Sequence, residues 1–207
     1  LCYMGDIETC YEFREKADYL VVSPGEVMAE GMPYHLIVPH MFAKTPRLWE
    51  DGLAGTFFKY YEESSTPYAT TAVIDCSKLE DLAEIMARVV EGKDTEIAAL
   101  NIANMQTYDR YTYQTTVDLR DFAYALHGEG SEMAKALNDA LDKAVIYKKA
   151  SERMFYNPDT RYYDASGFFD IDQDIYSGLA TYVPITRYEE DLNPEYRKTT
   201  WYLTIYP

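Results

Sequence analysis

Apolar positions recur at helical spacing in two stretches of the chain, and these are its clearest elements. Leu79, Leu82, Ala83, Met86, Val89 and Val90 fall on one face of a helix that Gly92 ends, with Ser77 and Glu80 as a capping-box pair at its start. Met133, Ala136, Leu137, Ala140, Leu141, Ala144 and Val145 mark a second amphipathic helix. Short apolar runs predict strands at 18–22, closed by Ser23-Pro24-Gly25, at 70–75, at 178–183, closed by Pro184, and at 201–205. Further helices are expected over 7–17 with Asp6 as N-cap, over 33–42, over 46–61 opened by Pro46, and from Asp118 through Leu126. Residues 1–4 read as the end of a buried strand, and 26–32 as a polar loop.

Strands alternating with helices predict an α/β layered fold with a mostly parallel sheet. Ligands sit at the carboxyl ends of strands in such sheets, and the junctions after Cys2 and after Val22 are two such ends, close enough in sequence to line one cleft. A chain of 207 residues with 47% hydrophobic positions is expected to form one domain over 1–207.

Charge narrows the partners. Nineteen Lys and Arg against 35 Asp and Glu leave a formal net charge of -16. A phosphate backbone is repelled by that field, so no nucleic acid partner is expected, whereas cationic ligands and basic peptides are attracted. Simple solubility accounts for the same charge. No run approaches the roughly 20 apolar residues of a membrane-spanning helix, so none is expected. A chain that opens on Leu1, inside a strand-to-helix junction, suggests a terminus made by proteolysis or by design and a further part upstream.

Three cysteines are too few and too unevenly placed for a disulfide scaffold or for paired zinc motifs. Cys10, on an inner helix face, and Cys76, at a strand end, are expected to be buried. Cys2 stands where a strand gives way to a helix, and the unpaired amides and dipole of a helix start favour a thiolate over a thiol. The position also suits a small buried residue, and the residues alone leave both readings open. His35 and His40 lie five apart and face different sides of their helix, which argues against a shared metal, and His127-Gly128 is expected in a surface loop. Asp170, Asp172 and Asp174 alternate like the start of a calcium loop. Ile175 stands where an EF-hand needs Gly and no Glu closes the loop, so that motif is rejected and no metal ligands are assigned.

The run Leu1-Cys2-Tyr3-Met4-Gly5-Asp6-Ile7-Glu8 resembles the nucleophile region of clostripain-like cysteine peptidases. Tyr11-Glu12-Phe13-Arg14, Ala17-Asp18-Tyr19, Val22-Ser23-Pro24 and Gly31-Met32-Pro33-Tyr34 continue the likeness in order and spacing. A looser similarity extends through 118–123, 140–147, 177–184 and Thr200-Trp201-Tyr202.

The resemblance implies a caspase-like three-layer α/β/α sandwich, of which this chain is the C-terminal portion. It implies a cysteine endopeptidase that cleaves after Arg or Lys through a Cys-His dyad and a thioacyl-enzyme, with Cys2 as the nucleophile. The partner histidine is implied in a His-Gly motif on an upstream light chain produced by maturation cleavage. Ser23, Glu26 and Glu30 are the implied substrate-binding residues: Ser23 at the Ser-Pro corner, Glu30 just before the Gly-x-Pro-Tyr turn, and Glu26 in the same loop. The family's other pocket acid, two residues before the nucleophile, would precede Leu1. No cofactor is implied, although the calcium dependence of some relatives leaves an irregular calcium site open. Relatives are commonly secreted or surface-anchored bacterial proteins, which implies an extracytoplasmic location. A non-catalytic caspase-like binding or scaffold protein at the bacterial cell surface is the competing reading. An upstream sequence lacking a histidine in a His-Gly context is what that reading expects.

Overall fold

The computed structural model describes residues 2–45, 47–65, 67–109, 114–155 and 168–206; the expected strand start at Leu1 and helix start at Pro46 lie outside these. The elements in chain order begin α1 (Ile7–Glu12), β1 (Tyr19–Val22), α2 (Tyr34–Met41), α3 (Leu53–Glu62), β2 (Thr70–Asp75), α4 (Leu79–Val90) and α5 (Asp94–Ala98). They continue β3 (Thr116–Asp118), α6 (Leu119–His127), α7 (Glu132–Ala144), β4 (Val145–Ala150), β5 (Arg153–Phe155), β6 (Phe168–Asp170), β7 (Ala180–Tyr182), α8 (Asn193–Tyr196) and α9 (Thr200–Ile205).

The helices with strong apolar periodicity form where their pattern puts them. Ser131 caps α7 by accepting from the Ala134 amide, and Asp118 caps α6 by accepting from the Arg120 and Asp121 amides. The capping box expected at α4 does not form. Ser77 Oγ donates instead to Asp75 Oδ1 at 2.7 Å, and residues 76–78 make one tight turn before the helix. Glu80 turns outward to accept from Tyr11 Oη at 2.7 Å and Arg14 Nε at 2.5 Å, so a tertiary tie between α1 and α4 displaces the local cap.

Residues 201–205, expected as a strand, are helical. The Thr199 hydroxyl accepts from the Tyr202 amide, and Trp201 and Ile205, four apart, bury one face against α1 and α4. Trp201 meets Tyr11 edge-on at 5.2 Å. The aromatic and β-branched composition suggested a strand, but the spacing of the two buried side chains selects a helix.

The fold is α/β, but the expectation of a mostly parallel sheet is not met. All strand pairs among the described residues are antiparallel: β1-β2-β4, β3-β7 and β5-β6. The one parallel contact is the isolated bridge between Asp6 and Ala180. A parallel neighbour requires a crossover that carries the chain back to the end where the first strand began. Between β1 and β2 the chain passes through α2 and α3 and re-enters the sheet at the end where it left, as the pairing of Val22 with Ala72 and Tyr19 with Asp75 shows.

Strand β2 is the centre of the molecule. Residues 70–74 are buried, and α3 and α7 both pack against it. Ala72 and Ile74 join the larger core with α4, α6, α7 and α9, while a second core gathers Met28, Phe57, Phe58, Tyr61, Tyr108, Met154 and Tyr176. Asp118 sits fully buried beside the second core, where Tyr108 Oη donates to its Oδ2 at 2.5 Å and the Ser177 amide and hydroxyl at 2.8 and 2.9 Å. Burial pushes its carboxyl above the usual range, opposed by these hydrogen bonds.

Asp118→Ala removes a helix cap and strands two buried partners, so it is expected to cost about 3–5 kcal/mol. Urea unfolding measures this, and a loss below about 1 kcal/mol contradicts the reading.

Candidate active site

Residues 2–4, expected as a strand end, form with Gly5 a turn held from two sides. The Gly5 amide donates to Ser23 O at 2.9 Å, the Ala180 amide donates to Gly5 O at 2.9 Å, and the Tyr3 amide donates to Gly25 O at 3.1 Å. Gly5 is required by this close approach, because a Cβ there would lie 2.4 Å from the Pro24 nitrogen. Tyr3 is the only non-glycine residue at positive φ among those described, at 54°. Strain at such a residue persists only when its surroundings over-determine it, and it lies directly after Cys2.

The 23–25 corner is itself anchored inside. Ser23 Oγ donates to Gly25 O at 2.9 Å and lies 2.7 Å from Thr70 Oγ1, which also accepts from the Gly25 amide at 3.0 Å. Both hydroxyls are buried, so Ser23, expected among the substrate-binding residues, directs its side chain into the corner and away from solvent.

Cys2 is exposed, whereas Cys10 and Cys76 are buried. Burial, then the charge of Asp6, pushes the Cys10 thiol well above its ordinary range; burial, then Asp75, pushes Cys76 up to about 11. The α1 N-terminus was expected to supply donors to Cys2. There Asp6 Oδ1 takes the Thr9 amide at 2.7 Å, and the sulfur of Cys2 accepts instead from the Val27 amide at 3.4 Å. Next to Val27, Glu26 Oε2 accepts from Tyr3 Oη at 3.3 Å. Glu30 is exposed further along the same loop, at the turn closed by the Gly31 amide on Met28 O.

The histidines are engaged elsewhere. His35 is exposed with its ring beside Tyr60, His40 Nε2 lies 3.2 Å from Thr56 Oγ1, and His127 Nε2 lies 2.8 Å from Val89 O. His127-Gly128 closes α6, with Gly128 at φ 81°, rather than lying in a free loop. Asp172 Oδ1 accepts from the Asp174 and Ile175 amides and closes a turn. Among the described residues, no group of three or more His, Cys, Asp or Glu is arranged to hold a metal, and no helix is long and apolar enough to cross a membrane.

Sequence reasoning missed Thr70, Val27 and the structural use of Tyr3. Thr70 acts through a side chain 47 positions from Ser23, and Val27 acts through its backbone, which no residue type reports. It also missed Glu8, the residue that ties α1 to β7. Glu8 Oε1 accepts from Thr181 Oγ1 at 2.9 Å and from the Tyr182 amide at 3.0 Å. Burial, followed by the charge of Asp6, pushes its carboxyl from 4.5 up to about 8.

The sequence profile of the clostripain family matches residues 1–190. No curated protein sequence matches the chain. An inactive zymogen protease from Parabacteroides distasonis superposes with a TM-score of 0.87 at 29% identity, covering 100% of this chain and 57% of that one. The chain thus spans little more than half of that relative's length. A clostripain from Bacteroides thetaiotaomicron, solved with the peptide inhibitor BTN-VLTK-AOMK, gives 0.79 at 29% identity, covering 99% of this chain and 83% of that one. A secreted cysteine protease from Bacteroides thetaiotaomicron gives 0.78 at 27% identity, covering 99% and 53%.

Between pH 4.5 and about 8 the native state keeps a proton on Glu8 that the unfolded chain has lost, so this group makes stability fall as pH rises through that window. Glu8→Gln keeps an acceptor for Thr181 and Tyr182 and removes that slope. Relative to the parent protein, the variant is expected to gain on the order of 2 kcal/mol between pH 5 and pH 9, discounted for partial exposure. Urea titrations at the two pH values measure it, and parallel pH slopes for both proteins rule it out.

Proposed function

The chain belongs to the clostripain family of cysteine peptidases, and from that premise we propose that it is the nucleophile-bearing portion of an endopeptidase that cleaves after Arg or Lys. The observation that carries the reading is that Cys2 alone of the three thiols is exposed, on a strained turn with a backbone donor on its sulfur. A histidine on an upstream light chain takes the Cys2 proton, and the thiolate attacks the scissile carbonyl. Backbone amides hold the oxyanion, the imidazolium protonates the departing amine, and water then releases the acyl-enzyme.

Glu30 and Glu26, on the loop beside Cys2, supply negative charge for a guanidinium or ammonium side chain. The net charge of -16 favours the encounter with such substrates. The lysine in the inhibitor bound to the Bacteroides thetaiotaomicron clostripain supports the same preference. In the complete protein the sheet extends into a caspase-like three-layer sandwich with strands from the upstream part. The secreted relative supports an extracytoplasmic location. The proposed steps call on no cofactor.

With the complete two-chain protein, an Arg- or Lys-directed chloromethyl ketone is expected to form one adduct, at Cys2, mapped by peptide mass spectrometry. Labelling at another residue, or none, overturns the assignment. Glu30→Gln is expected to lower kcat/KM on Arg and Lys substrates about 10- to 100-fold by removing the charge at the pocket. Unchanged kinetics move the specificity determinant to another acid.

A further inference from the structure

Two contacts cross from the Cys2 turn to the loop that follows the 23–25 corner. The Val27 amide donates to Cys2 Sγ at 3.4 Å, and Tyr3 Oη donates to Glu26 Oε2 at 3.3 Å. They join adjacent residues to adjacent residues, so one fixes the geometry of the other. The turn has no regular secondary structure to hold it, and its φ of 54° at Tyr3 is a conformation that a side-chain-bearing residue leaves unless held. On the backbone side it is held by the Tyr3 amide on Gly25 O. On the side-chain side it is held by the tyrosine hydroxyl.

We infer that Tyr3 and Glu26 form a latch that holds the Val27 amide on the sulfur, making both of them positioning residues for the nucleophile. The inference rests on the reading of Cys2 as the nucleophile and deepens it. A neutral backbone donor stabilises a sulfur anion more than a neutral thiol, because a hydrogen bond to a charged acceptor is the stronger one. At the start of α1 the Thr9 amide goes to Asp6, and the donor on Cys2 Sγ comes from Val27 instead. The latch therefore holds a donor that comes from a loop and not from the helix. Glu26 has a second use in it besides charge: its oxygen is the acceptor that fixes Tyr3, so the acid can be replaced by an amide without losing the contact. Thr70 and Ser23 set the loop's base, and the latch sets its tip.

The test is the rate at which neutral iodoacetamide alkylates Cys2 at pH 7 in the full chain, a readout that needs neither histidine nor turnover. Failure of the peptidase reading, seen with the chloromethyl ketone, is thereby distinguishable from failure of the latch. Tyr3→Phe and Glu26→Ala are expected to slow alkylation about 5- to 10-fold, the loss of one hydrogen bond to a charged acceptor. Glu26→Gln, which keeps an acceptor for Tyr3, is expected to hold or exceed the parent rate. Cys10 and Cys76 are the internal control, since they are buried and label only if a variant opens. If Tyr3→Phe labels those two thiols, the pair Glu26→Ala and Glu26→Gln, which keeps the Tyr3 side chain intact, decides by the same measurement. Cys2 rates within about 2-fold of the parent in Tyr3→Phe and Glu26→Ala, with Cys10 and Cys76 protected, overturn the latch. So does a Glu26→Gln rate as slow as that of Glu26→Ala.

Discussion

The arrangement around Cys2 depends on two buried hydroxyls, Ser23 and Thr70, 2.7 Å apart. Pro24 has no amide to donate, so the corner it occupies must be fixed by its neighbours. Thr70 belongs to β2, the central strand of the three-stranded sheet, and its hydroxyl reaches both Ser23 and the Gly25 amide. The carbonyls of Ser23 and Gly25 are then presented to Gly5 and Tyr3. Rigidity passes in this way from the best-packed strand, through one corner, to an irregular turn. Each such hydrogen bond is worth about 1 kcal/mol net, but losing one partner leaves the other buried and unsatisfied at a cost of about 1–3 kcal/mol. Exposed reactive groups are commonly held by loops on a rigid scaffold, and here the connection is a pair of side chains.

The acidic composition has a counterpart in the interior. With 35 Asp and Glu against 19 Lys and Arg, cations are too few to pair every acid, and the inner carboxylates are satisfied largely by hydroxyls and amides. Asp118 accepts from Tyr108 and Ser177, and Glu8 from Thr181 and the Tyr182 amide. The 21 tyrosines fit this use, because each brings apolar bulk to a core and a donor at its tip. Tyr182 and Tyr188 do the same for Asn193 and for Gln114 O. Burial, with the like charge of Asp6 added to it, pushes the Glu8 carboxyl up, and the donors from Thr181 and Tyr182 oppose that shift.

Among the described residues the Cys2 turn is anchored from several sides, and no histidine is bonded to its sulfur. The turn's anchors among the described residues include the corner at 23–25, Thr70, the β7 amide at Ala180 and the Tyr3–Glu26 contact. The three histidines are placed on α2 and at the end of α6, bonded to Thr56 or Val89 or exposed to solvent.

The sequence by itself determined what repeats along the chain or is confined to neighbours. The faces of α4 and α7, the N-caps at Asp6 and Asp118, the strand at Thr70–Asp75 and the burial of Cys10 and Cys76 follow from spacing and local chemistry. The run around Cys2 marked the family because its residues are consecutive. Tertiary structure alone decided the rest: strand direction, set by the end of the sheet at which the chain re-enters, and the helical state of 200–205, set by what Trp201 and Ile205 pack against. It also decided that Ser23 faces inward and that the donor to Cys2 is a backbone amide 25 positions away. Contacts between distant positions, and contacts made by the main chain, leave no periodicity in the order of side chains, so only the folded chain brings them to view.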